Sequence, residues 1–198
     1  MMRNFLIGGI FLLSVSNSIG QNVRYFSIET KLMKLGELKV TQNIDAKSHN
    51  ESYKLETHFG LWSLYEIEYL MESDFKDKEL TNSLAWIKVN GKPQHYAKVT
   101  RKKGVTRIER LNAKDTSTTQ IVYSAITQLY FNEFVGKDSV FSEYSGFNKS
   151  FIKKNDSTYI LNDESHMEFI FSEGKISKVI IPNSILDFYI VEKNPVQQ

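Results

Sequence analysis

The sequence predicts a mainly β protein, a single curved antiparallel sheet forming a half-closed β-barrel with one short helix. Three observations carry that prediction. Apolar and polar residues alternate at period two through most of the chain, tight-turn signals recur at short intervals, and 13% of residues are aromatic while only three are proline. Alternation of this kind marks strands with one buried and one wet face. Aromatic-rich, proline-poor chains suit the pleated surface of a sheet.

Each element follows from its own pattern. In "RYFSIETKL", Phe26, Ile28 and Leu32 point one way and Ser27, Glu29 and Lys31 the other. Leu38 and Val40 resume the alternation in "ELKVTQNID", so the two runs read as a hairpin around the glycine of "KLGE". The segment "HFGLWSLYEIEYLMESD" places Leu61, Tyr65, Ile67, Tyr69 and Met71 on one face of a strand. Glu66, Glu68, Glu72 and Asp74 share the opposite face. In "LAWIKVNGKPQHYAKV", Asn90-Gly91 between two extended runs is the strongest hairpin signal in the chain. Pro93 beside it has no amide to donate, which predicts that this strand begins at an edge. "RKKG" then turns into "VTRIERL".

One stretch departs from period two. Ile121, Ala125 and Leu129 recur at four-residue spacing, widened by Val122 and Ile126, which predicts a short helix near 123–131 capped by Thr118 or Thr119. The alternation returns in "KSFIKKN", "STYILND", "MEFIFSE", "KISKVIIP" and "ILDFYIVEK". With a single helix to cover it, an antiparallel sheet must curve around that helix, close into a barrel or fold over itself to bury one face. A strongly curved, half-closed barrel with the helix against its concave side is the first choice.

The domain organisation is simple. Residues 1–20 have the form of a cleaved secretory signal: Arg3, an apolar run from Phe5 to Leu13, and small residues at Ser18 and Gly20 before Gln21. Residues 21–198 then form a single β-rich domain, exported and periplasmic or secreted. The formal net charge is +2, one unit of it from Arg3, so the chain has no long-range field to gather nucleic acid. It has no cysteine, which excludes disulfides, thiol nucleophiles, Cys-ligated zinc and an N-terminal lipidated cysteine.

An opening hairpin around "KLGELKVT", meander strands, a helix at "ITQLYF", then "EYSG" and closing hairpins follow the leader. This layout resembles families of exported bacterial proteins known only as domains of unknown function. Leu129–Phe131 and Ser142–Gly146 are the most specific points of contact. Such families look like relatives of the half-barrel lipoprotein carriers of the periplasm, whose concave face holds acyl chains. The resemblance implies a carrier or envelope role and brings no catalytic residues with it.

The residues themselves point away from catalysis. His49, His58, His95 and His166 show no ligand spacing, GxSxG is missing, and apart from Gly8-Gly9 the ten glycines are scattered singly. No metal or cofactor motif is present. Glu133 and Glu143 flank an aromatic patch in the manner of a sugar-cleaving carboxylate pair, the weakest of three functional readings. Asp138 with Glu143 lacks the acidic repeat of a calcium loop. The patch "LYFNEFVGKDSVFSEYSG" supplies Tyr130, Phe131, Phe134, Phe141 and Tyr144 as candidates for the lining or rim of an apolar groove. Lys98, Arg101, Lys102, Lys103 and Arg107, with Arg110, make a basic hairpin that either contacts an anionic partner or is simply solvated. The leading expectation is therefore a non-enzymatic envelope protein binding a lipid or other apolar ligand, with an envelope protein as the alternative partner. The competing expectation is an interaction module with a solid core.

Overall fold

In the computed structural model, residues 20–61, 64–132, 138–184 and 186–193 are described. Strands β1 (Gly20–Glu29), β2 (Lys34–Asp45), β3 (Asn50–Leu61), β4 (Tyr65–Lys76), β5 (Glu79–Val89), β6 (Lys92–Lys102), β7 (Val105–Arg110) and β8 (Ala113–Thr118) form one meander. A second meander comprises β9 (Ser139–Ser142), β10 (Phe147–Lys153), β11 (Thr158–Leu161), β12 (Glu168–Ser172), β13 (Lys175–Ile181) and β14 (Phe188–Glu192). The two are zipped through β1 and β14, giving a sheet of 14 strands in the order β8-β7-β6-β5-β4-β3-β2-β1-β14-β13-β12-β11-β10-β9. Every strand pairing is antiparallel, and Phe26 lies opposite Glu192 and Ile28 opposite Ile190 at the junction.

Among the described residues no strand pairing closes the sheet, yet it is strongly curled. Flat, it would separate β7 from β10 by about 50 Å, eleven strand spacings. Instead the Arg110 guanidinium of β7 lies 4.7 Å over the Phe147 ring of β10. Because β8 and β9 are the two outer edges, the chain between them must cross the concave side. That crossing strap carries the only helical turn among the described residues, a 3-10 turn at Ile126–Tyr130.

The helix expected near 123–131 is thus five residues of 3-10 geometry, and neither Thr118 nor Thr119 caps it. Thr118 ends β8, and residues 119–124 belong to neither helix nor strand. The Leu80 amide donates to the Val122 carbonyl at 2.9 Å and the Phe141 amide to the Ser124 carbonyl at 2.9 Å. Residues so pinned cannot join a helix, so Ile121 and Val122 share spacing with Leu129 but not a helical face.

The first hairpin also differs in detail. Its turn is Thr30–Met33, where the Thr30 hydroxyl oxygen accepts from the Leu32 and Met33 amides, both at 3.2 Å. Leu32 consequently sits at the tip, 85% exposed. Gly36 lies inside β2, where a Cβ would stand 2.6 Å from Phe59 Cβ; glycine is there for close approach, not for turning. The segment read as one strand is split between β3 and β4, with Leu61 opposite Tyr65. Asn90 and Gly91 have φ of 50° and 72°, as the two-residue hairpin requires. Pro93 lies in a strand paired on both sides, but in an overhang, since β7 covers β6 only from Ala97 onward.

The inward faces form two core clusters. Phe26, Ile28, Leu38, Val40, Leu55 and Met71 from the first meander meet Phe169, Ile176 and Val179 from the second, with Ile126, Leu129 and Tyr130 of the strap between them. A second cluster joins Tyr53, Phe75, Leu80, Val99 and Ile108 to Val122, Ala125 and Phe141.

Candidate functional site

The concave side has three parts: a plug, a clasp and an open end. The plug is the 3-10 turn, and oppositely charged side chains bracket it. Glu143, fully buried, accepts from the Ile126 amide at 3.1 Å and the Thr127 amide at 3.0 Å, and from the Ser73 hydroxyl at 2.8 Å. These are the amides that a short helix leaves unpaired at its start. Burial pushes the Glu143 carboxyl above the usual range, against the pull of the Thr127 amide and the Ser73 hydroxyl. At the other end Arg24 donates to the Tyr130 carbonyl and, at 3.0 Å, to the Ile176 carbonyl. The same guanidinium pairs with Glu192, Nε to Oε1 at 2.8 Å. Acceptor oxygens at the amide end and a guanidinium at the carbonyl end both complement the turn's polarity.

The clasp is "EYSG", Glu143 to Gly146, and each residue has a distinct task. Glu143 holds the plug. The Tyr144 ring stacks on His95 of β6 at 3.5 Å, and His95 Nε2 donates to the Tyr144 carbonyl at 2.7 Å. Burial pushes the His95 imidazole below its usual range, partly offset by that carbonyl. The Ser145 amide donates to the Ser142 hydroxyl at 3.3 Å. Gly146 has φ +76°, and a Cβ there would lie 2.5 Å from Ile108 Cγ2. The two halves of the curled sheet therefore meet through side chains of β6 and β7 packed on one tight turn.

At the open end a single row of side chains crosses the sheet. Val89 lies opposite Ile67, and Ile67 opposite Phe59; Gly36, Ile28, Ile190 and Val179 continue the row. Ile28 and Val179 are buried, whereas Phe59, Ile67, Val89 and Ile190 are only half-buried. Ile181, Phe188 and Ile87 around them are half-buried as well.

The candidates named from sequence divide accordingly. Tyr130 and Phe141 are buried, with Tyr130 edge-on to Phe26 at 5.1 Å. Phe131 is half-buried, 6.2 Å from the Tyr53 ring, and Tyr144 is 42% exposed in the clasp. Phe134 and Glu133 lie outside the described residues. The basic hairpin does not act as one patch. Arg101 turns inward, donating to the Thr106 hydroxyl at 3.0 Å and the Gln120 carbonyl at 3.3 Å. Arg107 pairs with Asp115 at 2.7 Å. Lys98, Lys102 and Lys103 remain exposed. Among the described residues no three His, Asp or Glu side chains gather into a metal site. A polar depression of about 400 Å³ lined by Asn43, Asp45, Glu51 and Asp74 opens at the far end of the barrel.

Arg24 and Glu143 were not singled out as plug residues from sequence. Their partners lie 106 and 16 to 17 positions away along the chain, beyond any local pattern. A charged residue on the apolar parity of its strand, as Arg24 is in β1, is the signal that could have found the first.

Comparison with known proteins adds the following. No curated protein matches the chain. A solved structure, the β-barrel-like protein of domain of unknown function DUF1849 from Brucella abortus, aligns over 89% of this chain and 96% of its own, with 7% identity and a TM-score of 0.44. Residues 26–192 match the sequence profile of the domain of unknown function DUF6134. Spanning nearly the whole sheet from β1 to the end of β14, that match makes the chain a member of the DUF6134 family.

Proposed function

We propose that the protein is an exported, non-enzymatic component of the bacterial envelope that binds an apolar, acyl-chain-like ligand at the open end of its concave sheet. One observation carries this reading: the row Val89, Ile67, Phe59 and Ile190 points inward yet stays half-buried, whereas the same face is closed at the level of the plug. Apolar surface left on a concave face above a rigid floor is the ordinary form of a ligand site. The plug supplies that floor, so the ligand's length is limited to the depth above Leu129 and Tyr130. Glu143 supports the non-enzymatic part, because both its oxygens are engaged by the turn's amides and by Ser73. Mass spectrometry of the natively purified protein tests the proposal. Acyl lipid should co-purify and be lost in an Ile67→Glu variant; lipid-free protein that ignores added fatty acid would overturn it. A second reading, an interaction module with a solid core, draws on the complete burial of Leu129, Tyr130 and Phe141 and predicts a protein partner in place of lipid.

A further inference from the structure

The two ends of the half-barrel carry opposite chemistry in their turns. At the end away from the half-buried row, the connections are 46–49, Asp77-Lys78, Lys103-Gly104, 154–157 and Glu173-Gly174. None of these holds an apolar residue larger than alanine. At the row's end, the β1–β2 turn carries Leu32, 85% exposed, and Met33, 50% exposed. Leu64, just before β4, is 70% exposed, and Tyr65, which opens β4, is 48% exposed. Turn tips are ordinarily built from Gly, Asn, Asp, Ser and Pro, and the Thr30 hydroxyl that closes the first turn needs no leucine at its tip. Leu32 and Leu64 leave most of their apolar surface in water, and Met33 and Tyr65 about half of theirs.

The two tips belong to neighbouring hairpins, about 10 Å apart by two strand spacings, and they project from the same rim. Exposed lysines surround them: Lys31 and Lys34 in and after the first turn and Lys92 beyond the Asn90-Gly91 turn. Among the described residues Lys31 and Lys92 have no ion-pair partner; of the acidic groups at the same end Glu37 pairs with Lys193, Glu66 with His58 and Asp163 with Lys149, while Glu29 beside the first tip and Glu164 and Asp187 on the second meander are in no ion pair. Leucine and methionine at the tips, tyrosine one step back and unpaired lysines around them match the layers of a lipid surface: acyl chains, headgroup region and anionic phosphates.

We infer that this rim docks the protein on a phospholipid bilayer, with Leu32, Met33 and Leu64 entering the acyl layer and Lys31 and Lys92 meeting lipid phosphates. The inference does not need the ligand site, since a protein with a solid core could dock by the same tips. If both hold, the half-buried row from Phe59 to Val89 opens directly onto the membrane and the ligand path never crosses water.

Flotation of the full chain with vesicles of phosphatidylethanolamine and phosphatidylglycerol tests it. The wild type should float with the vesicles. Each leucine withdrawn from an acyl layer weakens partition about tenfold, so Leu32→Ser with Leu64→Ser should weaken it about a hundredfold. Lys31→Gln with Lys92→Gln should remove the dependence on phosphatidylglycerol content while leaving residual binding. Because all four residues are exposed, the urea midpoint of every variant should match the wild type. A wild type that stays unbound, or a double-leucine variant that floats unchanged, would overturn the inference. So would a vesicle-free dimer abolished by the leucine changes, which would assign the tips to a second copy of the chain. Lost flotation with retained lipid co-purification in the leucine variant would separate docking from the ligand site.

Discussion

Replacing Glu143 with alanine tests the bracketed plug most sharply. The change leaves three buried donors without acceptors: the Ile126 and Thr127 amides and the Ser73 hydroxyl. Each such donor costs about 1–3 kcal/mol, so with partial relaxation E143A should lose about 4 kcal/mol. That is a large share of the 5–15 kcal/mol typical of a folded domain. With a urea slope near 2 kcal/mol per molar, the midpoint should fall by about 2 M. E143Q keeps one acceptor oxygen and should lose about half as much. The pH dependence follows from burial, which raises the folded-state pKa of Glu143 above its ordinary value of 4.5. The folded chain then holds the proton more tightly than the unfolded chain. The carboxyl's contribution is therefore fully present below about pH 4.5 and is lost as pH rises through the folded-state value. E143Q lacks that slope, so its deficit against wild type should narrow with rising pH. A midpoint within about 0.5 M of wild type for E143A at pH 5 would refute the reasoning, since three orphaned donors cannot be that inexpensive.

Further outcomes follow from the clasp and the Arg24 bracket. Gly146→Ala forces a side chain onto φ +76° and against Ile108, and should cost about 3 kcal/mol in urea melts; an Ile108→Ala background should recover at least about 1 kcal/mol of that in a double-mutant cycle. The His95 pKa is depressed by burial, so the clasp's contribution is present above about pH 6.5 and lost as pH falls toward the folded-state value; an NMR titration of the imidazole should place its midpoint below 6.5, and a midpoint above it would contradict the packing of Tyr144 on His95. Arg24→Met leaves Glu192 and the Tyr130 and Ile176 carbonyls unpaired and should cost about 3 kcal/mol. Glu192→Gln should cost less, because Arg24 keeps both carbonyls.

Local patterns spoke for local structure. Asn90-Gly91 marked its hairpin because two successive positive φ values are inexpensive only for such residues, and the parity of Ile67, Tyr69 and Met71 marked the inward face of β4. The same logic misplaced the first turn. "KLGE" attracts a turn by its glycine, but Gly36 is claimed by Phe59 from the next strand, and the Thr30 hydroxyl closes the loop earlier. The four-residue spacing of Ile121, Ala125 and Leu129 suggested a longer helix than exists, because backbone hydrogen bonds from Leu80 and Phe141 claim the Val122 and Ser124 carbonyls. The aromatic stretch that looked most like a binding loop is architecture in its described part: Tyr130 and Phe141 fill the core, while Glu143, Tyr144 and Gly146 fasten it. The open end was the least legible, since Phe59, Ile67, Val89 and Ile190 become one surface only when six strands, β5 to β1 and β14, fall into register.

Titration of the purified protein with a dansyl-labelled fatty acid bears most directly on that surface. The proposed ligand site predicts saturable binding with blue-shifted emission, competed by unlabelled fatty acid and abolished by Ile67→Glu in protein that still unfolds cooperatively in urea. Emission that stays at its value in water, or binding that Ile67→Glu leaves intact, would contradict it.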